Sequence, residues 1–181
     1  MSRVHFIADF FSDEVSGGAE LVDSVLCNFL TSRGVDVIKL RSFDTDSIKL
    51  SLSEESYYII SNFTGMSDEV KDLLKNSRYS IFEHDHKYLT TRDPSLFPNF
   101  QAPSNAIINR DFYAHANRVF CQSKKHKEVV ESNLQLNNIV NLGCSLWSEE
   151  ELNCLESALE SEKINKAAIM QSHNEIKGQA E

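Results

Sequence analysis

Apolar residues form short continuous runs that alternate with segments in which they recur every three or four positions. The first run extends from Val4 to Phe11, and such a run is typical of a strand that is covered on both faces. From Leu21 to Leu30 the apolar positions follow helical spacing, which predicts an amphipathic helix. Gly34 lies where this helix should end. The segment therefore predicts a strand, a turn and a helix that packs on a sheet.

Five further apolar runs predict strands, at 35–40, 57–63, 79–84, 117–122 and 138–142. Helices are expected after Ser67, over 107–116 and after Ser123, since both serines can cap a helix. Residues 42–56 are mostly polar and predict a loop or irregular structure. Residues 87–104 hold all three prolines and predict a long loop. Because strands and helices alternate, the predicted fold is α/β, with a mostly parallel sheet and helices on both faces.

The turn between the first strand and the first helix contains the glycine pair Gly17 and Gly18. Two glycines allow the backbone to approach a ligand closely, and the unpaired N–H groups at the start of the next helix suit an anion such as a phosphate. The pair is part of neither a G-x-G-x-x-G motif nor a P-loop. The simpler interpretation is a tight turn that lets the helix pack on the strand.

The C-terminal part of the chain has a different pattern. Ser148 and Glu151 form a capping box that predicts the start of another helix, and glutamates are concentrated there. A strand-like run and a loop follow close to the end of the sequence. We interpret 1–147 as one domain, 148–166 as an acidic helix and linker, and 167–181 as the truncated start of a second domain.

Composition excludes several classes of partner. The net charge of −9 disfavours nucleic acid and anionic membrane surfaces, which need clustered lysine and arginine. No apolar run reaches membrane-spanning length and the N-terminus lacks a signal-peptide pattern, so we expect a cytoplasmic protein without an integral membrane segment.

The four cysteines are scattered without a C-x-x-C motif, so buried free thiols are expected and a zinc site is not.

Several short motifs occur in a consistent order, at 16–20, 32–37, 82–86, 116–123, 139–144 and 169–178. The first is Ser-Gly-Gly-Ala-Glu and the third is Phe-Glu-His-Asp-His. Taken together they resemble the N-terminal half of retaining glycosyltransferases of family four, which have the GT-B fold. Val35-Asp36 replaces the usual His-Glu and Gln171-Ser172 replaces the usual Gly-Arg, whereas Lys177-Gly178 is kept.

The resemblance implies a Rossmann-like domain that faces a second domain across a cleft and holds mainly the acceptor. It implies that Gly17 and Gly18 bind the donor diphosphate and that His84 is the catalytic residue beside the transferred sugar. The donor would be a nucleotide-sugar, used as substrate, and neither a metal nor another cofactor is expected. Most donor contacts would come from the second domain, so the 181-residue chain is expected not to be active alone.

The resemblance also implies an acceptor site for a sugar or a lipid. Glu20, Asp85, His86 and Lys87 are the candidate acceptor-binding residues, and the loop from 87 to 103 would shape the pocket. The expected partners are a C-terminal half with the missing carboxylates or, alternatively, a second copy of the chain in a homo-oligomer. A non-catalytic role as an acceptor-binding or assembly subunit also fits the resemblance.

A first alternative is a metal-dependent hydrolase. On a strand, His84 and His86 would share one face, and with Glu83 or a distant carboxylate they could bind zinc or iron. Asp85 would point away from that face. This hypothesis needs a second group of ligands, and none stands out in the sequence.

A second alternative is a non-catalytic binding module of the flavodoxin-like or receiver-like type. Asp9, Asp13 and Glu14 follow the first strand, as a phospho-acceptor site would require. The third strand, however, ends in Ser61-Asn62-Phe63 and supplies no aspartate to be phosphorylated. Fold alone does not decide between these functions.

Overall fold

In the computed structural model, which describes residues 3–53 and 55–159, six strands form one parallel sheet. The strands are β1 (Arg3–Ala8), β2 (Asp36–Arg41), β3 (Tyr57–Ile60), β4 (Arg78–Phe82), β5 (Val119–Cys121) and β6 (Ile139–Asn141). They lie in the order β2-β1-β3-β4-β5-β6, and all neighbours are parallel. After β1 the chain adds β2 on one side of it, and then adds β3 and the later strands on its other side. The strand order therefore reverses between β1 and β3. Ligands of such sheets bind outside the carboxyl ends of the strands at this point.

Helices connect the strands and cover both faces of the sheet. They are α1 (Gly18–Ser32), α2 (Thr45–Ser51), α3 (Asp68–Leu74), α4 (Arg110–His115) and α5 (Lys124–Leu134), whereas α6 (Glu149–Leu159) belongs to a separate unit. On one face Cys27 of α1 packs with Phe6 and Ala8 of β1. On the other face one larger core joins α2, α3, α4 and α5 to the sheet. The predicted α/β class is confirmed, and the fold is Rossmann-like.

The helix ends follow the sequence signals. The Ser67 hydroxyl accepts a hydrogen bond from the Val70 N–H, and the Ser123 hydroxyl accepts one from the His126 N–H, so both predicted caps are confirmed. Gly34 has φ of 79° just after α1, a conformation that glycine adopts at little cost. The expected stop of the first helix is therefore confirmed.

Two local predictions are wrong. The segment 42–56 was expected to be irregular but contains α2, which Asp44 caps and which the fully buried Ile48 anchors to the core. The helix expected over 107–116 begins only at Arg110, because Asn109 has a left-handed backbone with φ of 56°. The long loop predicted at 87–104 is confirmed. Between Pro94 and Ala106 it contains three short 3₁₀ turns, with no strand or α-helix.

Among the described residues, 148–159 belong to a unit separate from the one that ends at Trp147. Within it the predicted capping box is present: the Ser148 hydroxyl accepts a hydrogen bond from the Glu151 N–H at 3.2 Å, and the Glu151 carboxylate accepts one from the Ser148 N–H at 2.7 Å. The strand-like run at 167–171 lies outside the described residues. No described helix has the length and apolar character that crossing a bilayer requires.

The cysteine prediction holds for two residues of four. Cys27 and Cys121 are buried, whereas Cys144 and Cys154 are exposed, and all four are free thiols. Burial raises the pKa of Cys27 to about 11 and that of Cys121 to about 12, so neither buried thiol is a thiolate nucleophile at neutral pH.

Candidate functional site

The glycine turn lies at the carboxyl edge of the sheet. Gly17 is the N-cap of α1 in an extended conformation, and no described side chain caps the helix. The carboxyl group of Glu20 folds back against Gly17, so that a side chain at Gly17 would collide with it. Gly18 instead faces open space, because an added β-carbon would have no neighbour within 4 Å. The start of α1 is thus open on the side of the Gly18 β-position, and its first turn has no side-chain cap.

His84 follows β4 at the same edge and contacts α1. Its Nε2 lies 3.1 Å from Oδ1 of Asp23, and its Nδ1 lies 2.9 Å from Nε2 of Gln122. Because the amide nitrogen of Gln122 can only donate, Nδ1 of His84 accepts and Nε2 carries the proton donated to Asp23. The His84 side chain is 7% exposed. A ligand that hydrogen-bonds this ring would have to replace one of the two partners.

Asp85 and Lys87 form an ion pair after the same strand. Nζ of Lys87 lies 2.9 Å from Oδ1 of Asp85, and Arg92 approaches the other carboxylate oxygen at 3.3 Å. Partial burial alone would raise the pKa of Asp85, but the charges of Lys87 and Arg92 lower it overall. Lys87 is almost fully buried, so its ammonium group is held in one position by these contacts.

Glu83 is fully buried beneath this pair. The Tyr113 hydroxyl donates a short hydrogen bond to one carboxylate oxygen, and the Lys87 backbone N–H donates to the other at 3.4 Å. Burial raises the pKa of Glu83, but the charge of Lys87 and the hydrogen bond from Tyr113 outweigh it and lower that pKa overall. We therefore expect a buried carboxylate that holds the start of the long loop.

His86 contacts a different helix from His84. Its Nδ1 lies 2.9 Å from the Tyr88 hydroxyl, and its ring lies against His126 of α5 with 4.8 Å between centroids. Burial lowers the pKa of both histidines, that of His126 to about 4. Nε2 of His126 is buried and has no hydrogen-bond partner in the described part of the chain.

The structural premise of the metal hypothesis is wrong. Strand β4 ends at Phe82, so 84–86 is a turn, and His86 has φ of 54°. His84 therefore contacts α1 while His86 contacts α5, and the two rings do not share the face of a strand. Within the ranges 3–53 and 55–159, no three His, Cys, Asp or Glu side chains are arranged to hold a metal ion.

A crevice of about 630 Å³ opens at the carboxyl edge on the side of α3. We call it the cationic crevice; it is lined by Lys71, Lys87, Arg92 and Asn109 together with Phe63, Thr64, Asp68, Leu89, Thr90 and Ile108. The structure thus places one predicted acceptor residue, Lys87, in a cavity. Glu20, Asp85 and His86 are not among its lining residues.

Sequence reasoning missed Asp23, Gln122 and Lys71. Asp23 is 1% exposed. It precedes Cys27 by one helical turn and so lies on the same face of α1, and this spacing could have indicated that Asp23 faces inward and needs a buried partner. The predicted stripe instead included Leu21 and Phe29, which are 46% and 52% exposed. No sequence signal connected Lys71 to the loop after β4, because only the sheet order brings them together.

No protein-family model matches the chain, and a search of curated proteins gives no match. The class that fold and site define is therefore a Rossmann-like α/β domain with a glycine-led helix at its carboxyl edge.

Proposed function

We propose that the chain is the acceptor-side domain of a glycosyltransferase of hexosyltransferase type, which transfers a sugar from a nucleotide-sugar donor to an acceptor. The observation that carries this proposal is the contact between Asp23 of α1 and His84 after β4. Asp23 is five residues beyond Gly18, or about 8 Å along the helix. An anion on the N–H groups of α1 would therefore lie within reach of the end of β4.

The donor diphosphate would bind at Gly18, where α1 begins and space is open. Free N–H groups and the positive end of the helix dipole both favour a phosphate there. In sugar transfer the same groups would stabilise the charge that develops on the leaving diphosphate, so no metal is required for that role. Gly17 contributes less space, because Glu20 occupies its side.

His84 would act beside the transferred sugar. Its ring is held by Asp23 and Gln122, so its orientation is fixed before a ligand binds. Exchange of the Gln122 amide for a sugar hydroxyl would leave the His84–Asp23 hydrogen bond intact. Lys87 would contribute to the acceptor site, and Asp85 would hold it there.

The donor base and the rest of the sugar need contacts that we assign to a second domain. We therefore expect the isolated chain to bind a nucleoside diphosphate weakly and not to turn over a nucleotide-sugar. An assay of donor hydrolysis and transfer with the purified chain checks the second expectation, and appreciable turnover would contradict it.

The experiment that tests donor binding is an NMR titration with UDP, GDP and ADP. We expect the amide resonances of Gly17 and Gly18 to shift with at least one nucleotide. In Gly18→Pro position 18 has no amide to observe, so the readout is the Gly17 amide, whose shift should be lost, because proline at the first helical position keeps the helix but removes an N–H group. The extended conformation of Gly17, with φ of −119° and ψ of 162°, is compatible with a following proline.

Glu149→Pro is the matched control, since Glu149 is also the first residue of a helix and lies in the other compact unit. It should leave nucleotide binding unchanged. If no nucleotide shifts Gly17 or Gly18, or if Gly18→Pro binds as the unmodified chain does, the proposed donor site is wrong.

A further inference from the structure

We propose that the cationic crevice binds the phosphate monoester of a small polyhydroxylated molecule. If the proposed function holds, this ligand is the acceptor, but its binding does not depend on the donor site. The crevice is lined by three cations, Lys71, Lys87 and Arg92, and by one carboxylate, Asp68. Asp85 and Glu83 compensate the charge of Lys87, so the positive charge available to a ligand comes mainly from Lys71 and Arg92, although the whole chain carries a net charge of −9.

Asn109 holds the two lysines of the crevice. Its Nδ2 donates to the backbone carbonyl of Lys87 at 2.8 Å, and its Oδ1 accepts from Nζ of Lys71 at 3.1 Å. Lys71 is 15% exposed and Lys87 is 3% exposed, so neither ammonium group is a freely moving surface charge. The cations are therefore fixed before a ligand arrives, which lowers the entropy that binding must offset.

The contacts of these cations leave donors for a ligand. An ammonium group has three N–H donors, and Lys71 uses two of them, for Asn109 and for Asp68. Asp68 is 93% exposed, so water screens its charge and its hold on Lys71 is weak. Arg92 is half exposed and contacts Asp85 through one guanidinium nitrogen, at 3.3 Å. A phosphate between Lys71 and Arg92 would accept from both.

The backbone around the crevice adopts conformations that are rare for residues other than glycine. Arg92 and Asn109 both have φ of 56°, and His86, directly before Lys87, has φ of 54°. Left-handed conformations of this kind persist only where the surrounding structure imposes them, and they are concentrated at ligand sites. Here two of these residues, Arg92 and Asn109, belong to the lining itself.

The rest of the lining favours a compact polyhydroxylated ligand. The Thr90 hydroxyl can donate and accept, the Thr64 hydroxyl donates to Asp9 and can still accept, and the almost fully buried ring of Phe63 forms part of the wall. The volume of about 630 Å³ lies within the range of small-molecule sites. A phosphorylated sugar or polyol satisfies the cations, the hydroxyl groups and the aromatic ring together.

The test is an NMR titration of the full chain with glucose 6-phosphate, inorganic phosphate and glucose. We expect glucose 6-phosphate to shift the amides of Thr90, Arg92 and Asn109, inorganic phosphate to do so more weakly, and glucose to leave them unchanged. Binding should weaken as salt is added, because the attraction is between charges. Equal binding of glucose and glucose 6-phosphate would overturn the proposal.

Charge-removing variants locate the site. Lys71→Met and Arg92→Asn should each weaken glucose 6-phosphate binding by about tenfold or more, since each removes a charged hydrogen-bond donor. Asparagine is chosen at Arg92 because it tolerates the left-handed conformation. Lys49→Met is the matched control: Lys49 pairs with Glu69 outside the crevice, and its loss should leave the affinity unchanged.

The same variants separate this proposal from the donor site. Gly18→Pro should leave glucose 6-phosphate binding intact, so loss of nucleotide binding alone counts against the donor site and not against the crevice. If Gly18→Pro abolishes glucose 6-phosphate binding while Lys71→Met does not, the phosphate binds at α1 and the crevice proposal is wrong. Unchanged NMR spectra away from the site show that each variant is folded.

Discussion

Asp23 and His84 are 61 residues apart in the chain, yet Oδ1 of Asp23 lies 3.1 Å from Nε2 of His84. The two side chains join the second turn of α1 to the end of β4 and are both nearly inaccessible to solvent. Because Gln122 donates to the other ring nitrogen, the imidazole bridges a helix and two strand ends. This ring therefore ties α1 to the carboxyl edge of the sheet, in addition to the packing of Cys27 on β1.

Removing the acceptor from His84 should destabilise the fold. Asp23→Leu leaves the His84 N–H buried without a partner, and we expect the free energy of unfolding to fall by about 1–3 kcal/mol. Asp23→Asn keeps an acceptor oxygen and should have a smaller effect. Urea denaturation at neutral pH measures both. Asp13→Leu is the control, since Asp13 is exposed. Equal losses for Asp23→Leu and Asp23→Asn would show that hydrogen bonding of His84 is not the cause.

The hydroxyl of Tyr113 supports the buried carboxylate of Glu83. Tyr113→Phe should lower the free energy of unfolding by about 1–3 kcal/mol, because Glu83 then lacks a donor at one oxygen. The pKa of Glu83 in the folded state is lower than its ordinary value of 4.5, so the ionised carboxylate stabilises the fold at pH values above 4.5. This stabilisation is lost as the pH falls through the folded-state pKa. The variant raises that pKa, so acid unfolding should occur at higher pH.

The matched control for this prediction is Tyr57→Phe. The Tyr57 hydroxyl lies 2.6 Å from the Ser80 hydroxyl, in a partly buried pair of neutral groups. Its loss should have a smaller effect on stability and none on the pH of acid unfolding. A similar acid shift in both variants would mean that the tyrosine hydroxyls act on general stability and not through Glu83.

Asp9 connects the ends of three strands. Its two carboxylate oxygens accept four hydrogen bonds, from the hydroxyl groups of Ser42 and Thr64 and from the N–H groups of Thr64 and Gly65. Asp9→Asn replaces one acceptor oxygen with a donor, so the backbone N–H that faced this oxygen loses its acceptor, whereas the hydroxyl group can turn to accept from the new amide. We expect a destabilisation of about 2–4 kcal/mol in thermal or urea unfolding. Ser42→Ala removes one bond and should destabilise less, and the reverse ranking would refute this explanation.

Strands and helices that bury several apolar residues in a regular pattern could be predicted from the sequence. Elements that depend on a single buried residue, a cap or one unusual backbone angle could not. β1 follows from its apolar run and α1 from its helical spacing. By contrast, α2 depends on one buried residue, Ile48, and on its cap at Asp44, which a mostly polar segment does not reveal. The left-handed Asn109 likewise moves the start of α4 without any change in apolar pattern.

The candidate site was predicted in part for the same reason. Gly17, Gly18 and His84 belong to local motifs, so the sequence indicates them directly. The partners Asp23 and Gln122 reach His84 only through the order of strands and the rotation of α1. The shared face of His84 and His86 was a wrong prediction, because strand spacing was extended to positions two and four residues beyond Phe82, where the strand has already ended.

The buried ring of His126 should make the fold sensitive to mild acid. Burial, and after it the charge of His86, lower its pKa from 6.5 to about 4, so the native state resists a proton that the unfolded chain accepts. The neutral buried ring therefore stabilises the fold fully above pH 6.5. As the pH falls from 6.5 to about 4, the free energy of unfolding should decrease by about 1–3 kcal/mol. His126→Phe keeps a ring against His86 but cannot titrate, so urea unfolding should depend less on pH in this window. His5 and His86 also have lowered pKa values and leave a residual slope. The exposed His115→Phe is the control, and a slope that His126→Phe leaves unchanged would show that His126 is not the titrating group.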